Sequence, residues 1–201
     1  MPDALHTGPR ALITLLWVAW ALYWLISAWG VKAVQRRESL GSRLAHVLPL
    51  IVAGVLLGWS RMPWAFLTQR LWPRSWEAYW IGVALLAASI AFAVWARVHL
   101  GRNWSGTVTV KQDHELIRSG PYALVRHPIY TGLLGAVLGT AIASGTVRAA
   151  LAFVIITIAL VRKLRTEETF MRETFPGEYQ RYSAQVPALI PFTKPRRSAP
   201  H

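Results

Sequence analysis

The chain has no cysteine. That excludes disulfides, thiolate nucleophiles and cysteine-bound zinc or iron-sulfur clusters, and it leaves the compartment unreadable from redox chemistry. Acidic residues are scarce as well: nine aspartates and glutamates stand against 22 lysines and arginines, a formal charge of +13. Such an excess suits either nucleic acid or an anionic membrane. Here the basic residues collect in the connectors beside apolar runs and form no single basic face, which points to lipid and away from nucleic acid. A Gly-x-Ser-x-Gly elbow and a Gly-x-Gly-x-x-Gly turn after a strand are both missing, so neither a soluble-type hydrolase nor a Rossmann site has support. Internal repeats and low-complexity linkers are absent too.

What is abundant is apolar surface. Of 201 residues 54% are apolar, including eleven tryptophans, which places the chain among integral membrane proteins of one domain. Trp17, Trp29, Trp59, Trp64, Trp72, Trp76 and Trp80 lie in or beside apolar runs, where amphipathic rings favour the headgroup level. Ala11 to Val31 carries no charge and is long enough to cross a core of about 30 Å at about 1.5 Å per residue. It is also about twice as long as a signal-peptide core and has no convincing cleavage site, so it reads as a retained helix. Leu44 to Ser60 is a second span kinked at Pro49, and Glu77 to Ala96 a third. Pro128 to Thr146 is a fourth, with Gly132, Gly135 and Gly139 spaced to let a neighbouring helix approach. Val147 to Val161 is a short fifth, from which Arg148 must snorkel or which must sit shallow in the bilayer.

Between the spans, Arg61 to Trp76 reads as an interfacial loop, and Arg97 to Val125 is the longest hydrophilic segment, in which Thr107 to Val110 alternates like a strand. After Val161, Met171, Phe175, Tyr179, Tyr182 and Val186 recur three or four apart on both sides of Pro176-Gly177. That spacing predicts amphipathic helix packed back onto the membrane face. With five spans, the first and third loops and the C-terminal segment share one side and hold 17 of the 22 basic residues. That side is expected to be cytoplasmic and the N-terminus outside, in a plasma membrane of bacterial type.

Three polar clusters lie at or near these spans, where ionisable residues are costly and suggest a site. Asp113-His114-Glu115 does not make a metal site, because adjacent residues cannot face one centre and no second histidine stands at helical spacing. Arg126-His127-Pro128 opens the fourth span, as an interfacial anchor or as the wall of a ligand pocket. Arg162-Lys163-Leu164-Arg165-Thr166-Glu167-Glu168 follows the fifth, either as ordinary basic flanking with an i,i+4 Lys163–Glu167 pair or as part of the same pocket.

Several separate motifs, in order, carry a resemblance. Gly101-x-Asn103-Trp104, Leu116-Ile117-x-x-Gly120-x-Tyr122-x-x-x-Arg126-His127-Pro128-x-Tyr130-x-Gly132, Glu167-Glu168, Phe175-x-Gly177-Glu178-Tyr179-x-x-Tyr182 and Val186-Pro187 with Leu189-Ile190-Pro191 together resemble the isoprenylcysteine carboxyl methyltransferase family. The likeness covers about residues 97 to 193, and residues 1 to 96 match only as hydrophobic spans. It implies an all-α integral membrane methyltransferase of about five transmembrane helices, with a cytosol-facing cofactor pocket and an amphipathic C-terminal helix. It divides the chain into N-terminal membrane helices (1–96), a catalytic region binding S-adenosylmethionine (97–193) and a disordered tail (194–201).

Carried onto this chain, the resemblance implies cofactor contacts from His114, Glu115, Leu116, Ile117, Tyr122, His127, Pro128, Ile129, Tyr130 and Glu167. It places a substrate-orienting cation at Lys163, with Arg126, Arg162 and Arg165 as further candidates. The lysine is a departure: a guanidinium holds a carboxylate by two parallel bonds, an ammonium as a point charge, so a neighbouring arginine substitutes or the substrate differs. The acidic run is also shorter than in human-type members. The expected reaction is methyl transfer to an isoprenylcysteine-like or other lipophilic carboxylate, in contact with membrane lipid and without an obligate protein partner. Two alternatives stay open. One is a phospholipid or amine N-methyltransferase of the same superfamily. The other is an NADPH-dependent membrane sterol-type reductase, since such enzymes resemble this chain at Arg-His-Pro-x-Tyr too. A non-catalytic membrane scaffold is the bland reading.

Overall fold

The computed structural model describes residues 4–28, 34–37, 40–59, 62–101, 109–111 and 116–193. Five long helices form its body: α1 (Ala4–Ser27), α2 (Leu40–Gly58), α4 (Trp76–Leu100), α6 (Pro128–Ser144) and α7 (Val147–Thr174). Short helices α3 (Ala65–Thr68), α5 (Pro121–Leu124) and α8 (Glu178–Gln185) join or close them. These five helices coincide with the five apolar runs of the sequence. The fifth run is the first half of α7, which continues unbroken into the polar Arg162–Thr174 stretch. By length and composition one described helix, α4, is able to cross a membrane alone; Ala11–Ser27, Leu44–Gly58 and Pro128–Ser144 are shorter apolar helical stretches. α2 runs through Pro49 as one helix, and α1 ends at Ser27, short of Val31.

The all-helical expectation needs one amendment. Strands β1 (Val34–Arg37) and β2 (Thr109–Lys111) pair antiparallel, Arg37 opposite Thr109 and Val34 opposite Lys111, with an irregularity between Val34 and Arg36. The alternation around Thr107–Val110 was therefore a strand signal, seen over Thr109–Lys111. This ladder ties the first connector to the third. At the opposite end Arg70 bridges Thr146, and Leu71 N–H donates to Gly145 O at 2.8 Å, tying the second connector to the fourth.

α4 starts on a capped end, with Ser75 Oγ accepting from Ala78 N–H at 3.1 Å and Glu77 in the first turn, and ends on Arg97 and His99, which complement its dipole. It packs most extensively against α6. The approach is so close that a Cβ on Gly139 would meet Gly82 O at 2.5 Å and Leu86 N at 2.6 Å. Small residues at this seam let backbone touch backbone, the way helices associate where no hydrophobic effect separates protein from lipid. α2, α3, α6 and α7 enclose the main cluster of buried residues, Ala53, Leu56, Met62, Leu67, Val137, Ala152, Ile156 and Leu160. α1 joins α6 through Trp17 Nε1, which donates to Thr140 Oγ1 at 3.0 Å. Its outward Leu22, Leu25 and Ile26 stay exposed, as on a lipid-facing helix.

Candidate active site

The site is built at the end of the bundle where β1 and β2 pair. Gly120 turns the chain with φ +59°, and a Cβ there would strike the His99 ring at 2.8 Å, so glycine is needed both for its conformation and for the approach. α5 follows, burying Tyr122, which stacks on His99 with ring centroids 6.4 Å apart. Pro128 then opens α6 at its first position, where the missing N–H costs nothing. The turn between them is fixed by the C-terminal segment. Arg126 N–H donates to Pro187 O at 2.9 Å, His127 N–H to Ala188 O at 3.0 Å, and Thr131 Oγ1 to Leu189 O at 2.6 Å. From α8, Tyr182 Oη donates to Tyr122 O at 2.6 Å. Tyr179 and Tyr182 are the buried face of the predicted amphipathic helix, and the break before them falls at Pro176-Gly177.

Glu167 and Glu168 reach this turn from the polar half of α7. Glu168 is 6% exposed. Arg126 donates to its Oε1 from Nε at 2.9 Å and again from Nη2, Arg172 Nη2 donates to its Oε2 at 2.9 Å, and His127 Nε2 lies 3.4 Å from Oε1. The remaining Arg126 nitrogen, Nη1, donates to Ser183 O and Val186 O. Burial by itself would raise the Glu168 carboxyl; the bonds from His127 and Arg126 outweigh it and hold the group down at about 2. Every donor-bearing atom of Arg126 is thus engaged within the protein. Arg126 clamps α7 to the end of α8.

Glu167 is the more open carboxylate, its side chain 23% exposed against 8% for Glu168. Tyr130 Oη donates to its Oε1 at 2.5 Å, and His127 Nδ1 lies 3.6 Å from its Oε2. Burial opposes its ionisation, but His127, Lys163 and Tyr130 together lower its pKa. His127 stands between the two acids. Burial disfavours its charged form, and the flanking Glu167 and Glu168 more than reverse that, so its pKa is raised. The imidazole also stacks parallel on Tyr130, centroids 5.6 Å apart, and Lys163 Nζ lies 5.5 Å from the centre of the same tyrosine ring. Burial, with the charges of Tyr182 and Glu167 behind it, raises the Tyr122 phenol.

The structure therefore brings together His127, Tyr130, Lys163 and Glu167, with Pro128 and Ile129 in the supporting turn and Tyr122 close behind. Leu116 and Ile117 are half-buried ahead of α5, while His114, Glu115, Asn103 and Trp104 lie outside the described residues. Arg162 and Arg165 are exposed and turn away from Glu167. Glu168, Arg172, Thr131 and the Pro187–Leu189 carbonyls complete the site. The sequence marks Glu168 only as a member of the polar cluster and Pro187–Leu189 only as part of the motif, and it gives Arg172 and Thr131 no role, although the i,i+4 spacing of Glu168 and Arg172 is there to read. Among the described residues no group of three histidine or acidic side chains is set to hold a metal ion.

Comparison with known proteins shows the family. The phospholipid methyltransferase family model matches residues 78–178. Over 150 residues the chain is 31% identical to the cobalt-zinc-cadmium resistance protein CzcN of Cupriavidus metallidurans, covering 72% of this chain and 60% of that one. It is 34% identical over 99 residues to the protein-S-isoprenylcysteine O-methyltransferase of Schizosaccharomyces pombe (48% and 42% covered) and 28% over 120 residues to a probable enzyme of that name from Oryza sativa (58% and 63%). The chain thus spans between about two fifths and two thirds of the length of these curated relatives. Among solved structures, the eukaryotic intramembrane Ras methyltransferase, isoprenylcysteine carboxyl methyltransferase, superposes with a TM-score of 0.53 at 20% identity over 78% of this chain and 54% of that one, which shows a shared membrane fold. With its family match covering residues 78–178, from the start of α4 to the start of α8, the chain belongs to the phospholipid methyltransferase family.

Proposed function

We propose that this chain is an integral membrane methyltransferase that uses S-adenosylmethionine and methylates a lipophilic carboxylate of the isoprenylcysteine type. One observation carries the reading: Glu167, a half-open carboxylate aimed by the Tyr130 hydroxyl and His127, sits on a frame locked by Arg126, Glu168 and the C-terminal carbonyls. The donor set suits the cofactor. A carboxylate kept ionised accepts from an ammonium or from ribose hydroxyls, and the stacked His127–Tyr130 pair offers aromatic surface beside it. Glu167, Tyr130 and His127 would hold S-adenosylmethionine, with Tyr122, Leu116 and Ile117 as further contacts. The cofactor supplies a methyl group on a sulfonium.

What the protein must add is placement. A carboxylate acceptor is already ionised at neutral pH, so it needs no general base, and catalysis rests on alignment in a site from which water is kept. Lys163, its Nζ 5.5 Å from the centre of the Tyr130 ring, is the cation that would hold the acceptor carboxylate. As a point charge it tolerates a wider range of carboxylates than a guanidinium would. Arg126, with its donors engaged, positions Glu168 and His127. The site-bearing end of the bundle faces the cytoplasm in this reading, with the N-terminus outside, in keeping with the basic connectors there.

The description of the family to which the chain belongs favours a second acceptor class, a lipid amine, whereas the isoprenylcysteine O-methyltransferases among its relatives favour the carboxylate. A nitrogen nucleophile must lose a proton, and His127 or Glu167 would then take it. Purified full chain given radiolabelled S-adenosylmethionine separates the two. Label in base-labile methyl ester on a prenylated cysteine supports the carboxylate reading; label in base-stable methylamine on phosphatidylethanolamine replaces it with the amine reading.

A further inference from the structure

α7 leaves its apolar stretch after Val161, and its next turn carries Arg162, Lys163 and Arg165. At about 100° per residue, Arg162 and Arg165 stand roughly 140° and 160° around the helix from Glu167. They belong to the other face, with Lys163 at the border between the two. That face looks onto α2. There Ala45, His46, Arg162, Lys163, Arg165 and Thr166 line a cleft of about 160 Å³. His46 is 4% exposed. Every ionisable side chain lining the cleft is basic, and neither arginine has an ion-pair partner among the described residues.

The depth of the cleft is fixed by the two helices. α2 enters its apolar stretch at Leu44, and α7 leaves its own at Val161, so the cleft lies at the polar boundary of one leaflet. Basic pockets between membrane helices at that level are matched to anionic headgroups. A phosphodiester brings one negative charge and two unesterified oxygens, which a guanidinium meets with parallel N–H bonds. The volume admits a phosphate with several waters at about 30 Å³ each. Beside Ala45, the exposed Leu44 and Leu48 of α2 give acyl chains an apolar track. We propose that this cleft binds the phosphate of an anionic phospholipid headgroup through Arg162 and Arg165, on the opposite face of α7 from Glu167, at a site that borders that of methyl transfer at Lys163.

The proposal is tested without cofactor or methyl acceptor, so its outcome is independent of the methyltransferase reading. Full chain in neutral detergent is offered phosphatidylglycerol and phosphatidylcholine of identical chains, and retained lipid is read by native mass spectrometry. Phosphatidylglycerol should be retained about tenfold or more over phosphatidylcholine. R162Q/R165Q should abolish that preference, R162K/R165K should restore it only in part, and R181Q, which removes an exposed arginine from α8, should leave it intact. Equal loss in R181Q would mean diffuse surface charge and would overturn the proposal. So would an unchanged preference in R162Q/R165Q, or displacement of the lipid by millimolar inorganic phosphate, which would make the cleft a site for the free ion.

Discussion

Glu168→Gln is the sharpest perturbation of the frame around the site. The amide keeps the shape of the side chain but removes the charge on which Arg126, Arg172 and His127 converge. A carboxyl held at about 2 instead of the usual 4.5 is more stable ionised, in place, by on the order of 3 kcal/mol. That agrees with the loss of about 3 to 5 kcal/mol seen when one member of a buried ion pair is deleted. For a chain of this length the melting temperature in detergent should fall by about 6 to 12 °C. The sign of the pH effect follows from the direction of the shift. Because the folded value is depressed, the stabilisation is complete above 4.5 and is lost as pH falls through about 2. Wild type should therefore lose most of this increment on acidification from pH 5 to pH 2.5, and the variant should have lost it already. Thermal unfolding followed by tryptophan fluorescence across that range reads both. Equal melting temperatures at pH 7, or an identical acid limb in the two proteins, would refute the assignment of Glu168 as the charged centre of the clamp.

Other outcomes follow from the same geometry. Glu167→Ala should weaken S-adenosylmethionine binding at least tenfold by calorimetry while the fold survives; equal affinity would remove Glu167 from the site. His127, its pKa raised between two acids, contributes stability that is complete below 6.5 and is lost as pH rises through its folded value, so melting temperature should decline on the alkaline side in wild type and much less in His127→Gln. Gly139→Ala should cost about 1 to 3 kcal/mol, because its Cβ meets backbone on the facing helix, whereas Gly54→Ala, with open space around it, should be neutral or mildly stabilising in the same unfolding assay. Tyr182→Phe should cost about 1 kcal/mol, by loss of its bond to Tyr122 O.

Much of this arrangement is legible in the chain because its main constraints are local. Uncharged runs give helices wherever a backbone must satisfy itself in lipid, and Pro128 and Pro176-Gly177 mark a helix start and a break by removing donors or freeing φ. The glycine spacing on α6 announces a close neighbour, but only the fold identifies it as α4. Long-range partners were not readable. Nothing in Arg126 announces that its guanidinium turns inward to Glu168 and the α8 carbonyls, since a cation before a membrane helix looks the same whether it anchors, binds or clamps. Arg162 and Arg165, close in sequence to Glu167, fall on the other side of α7 because successive helical positions point in different directions, and with Lys163 they line the cleft toward α2. The β1–β2 ladder was half visible: alternation flagged the second strand, while Val34–Arg37, a short basic stretch in a connector, carried no such signal.

The central claim, a cofactor site organised around Glu167, His127 and Tyr130, is tested most directly by equilibrium binding. Detergent-purified protein is titrated with S-adenosylmethionine and, separately, with NADPH, with His127→Ala alongside. S-adenosylmethionine should bind in the micromolar range, that binding should be lost in the variant, and NADPH should not bind. Binding of NADPH in place of S-adenosylmethionine would contradict it and would make the Arg-His-Pro turn part of a hydride-transfer site.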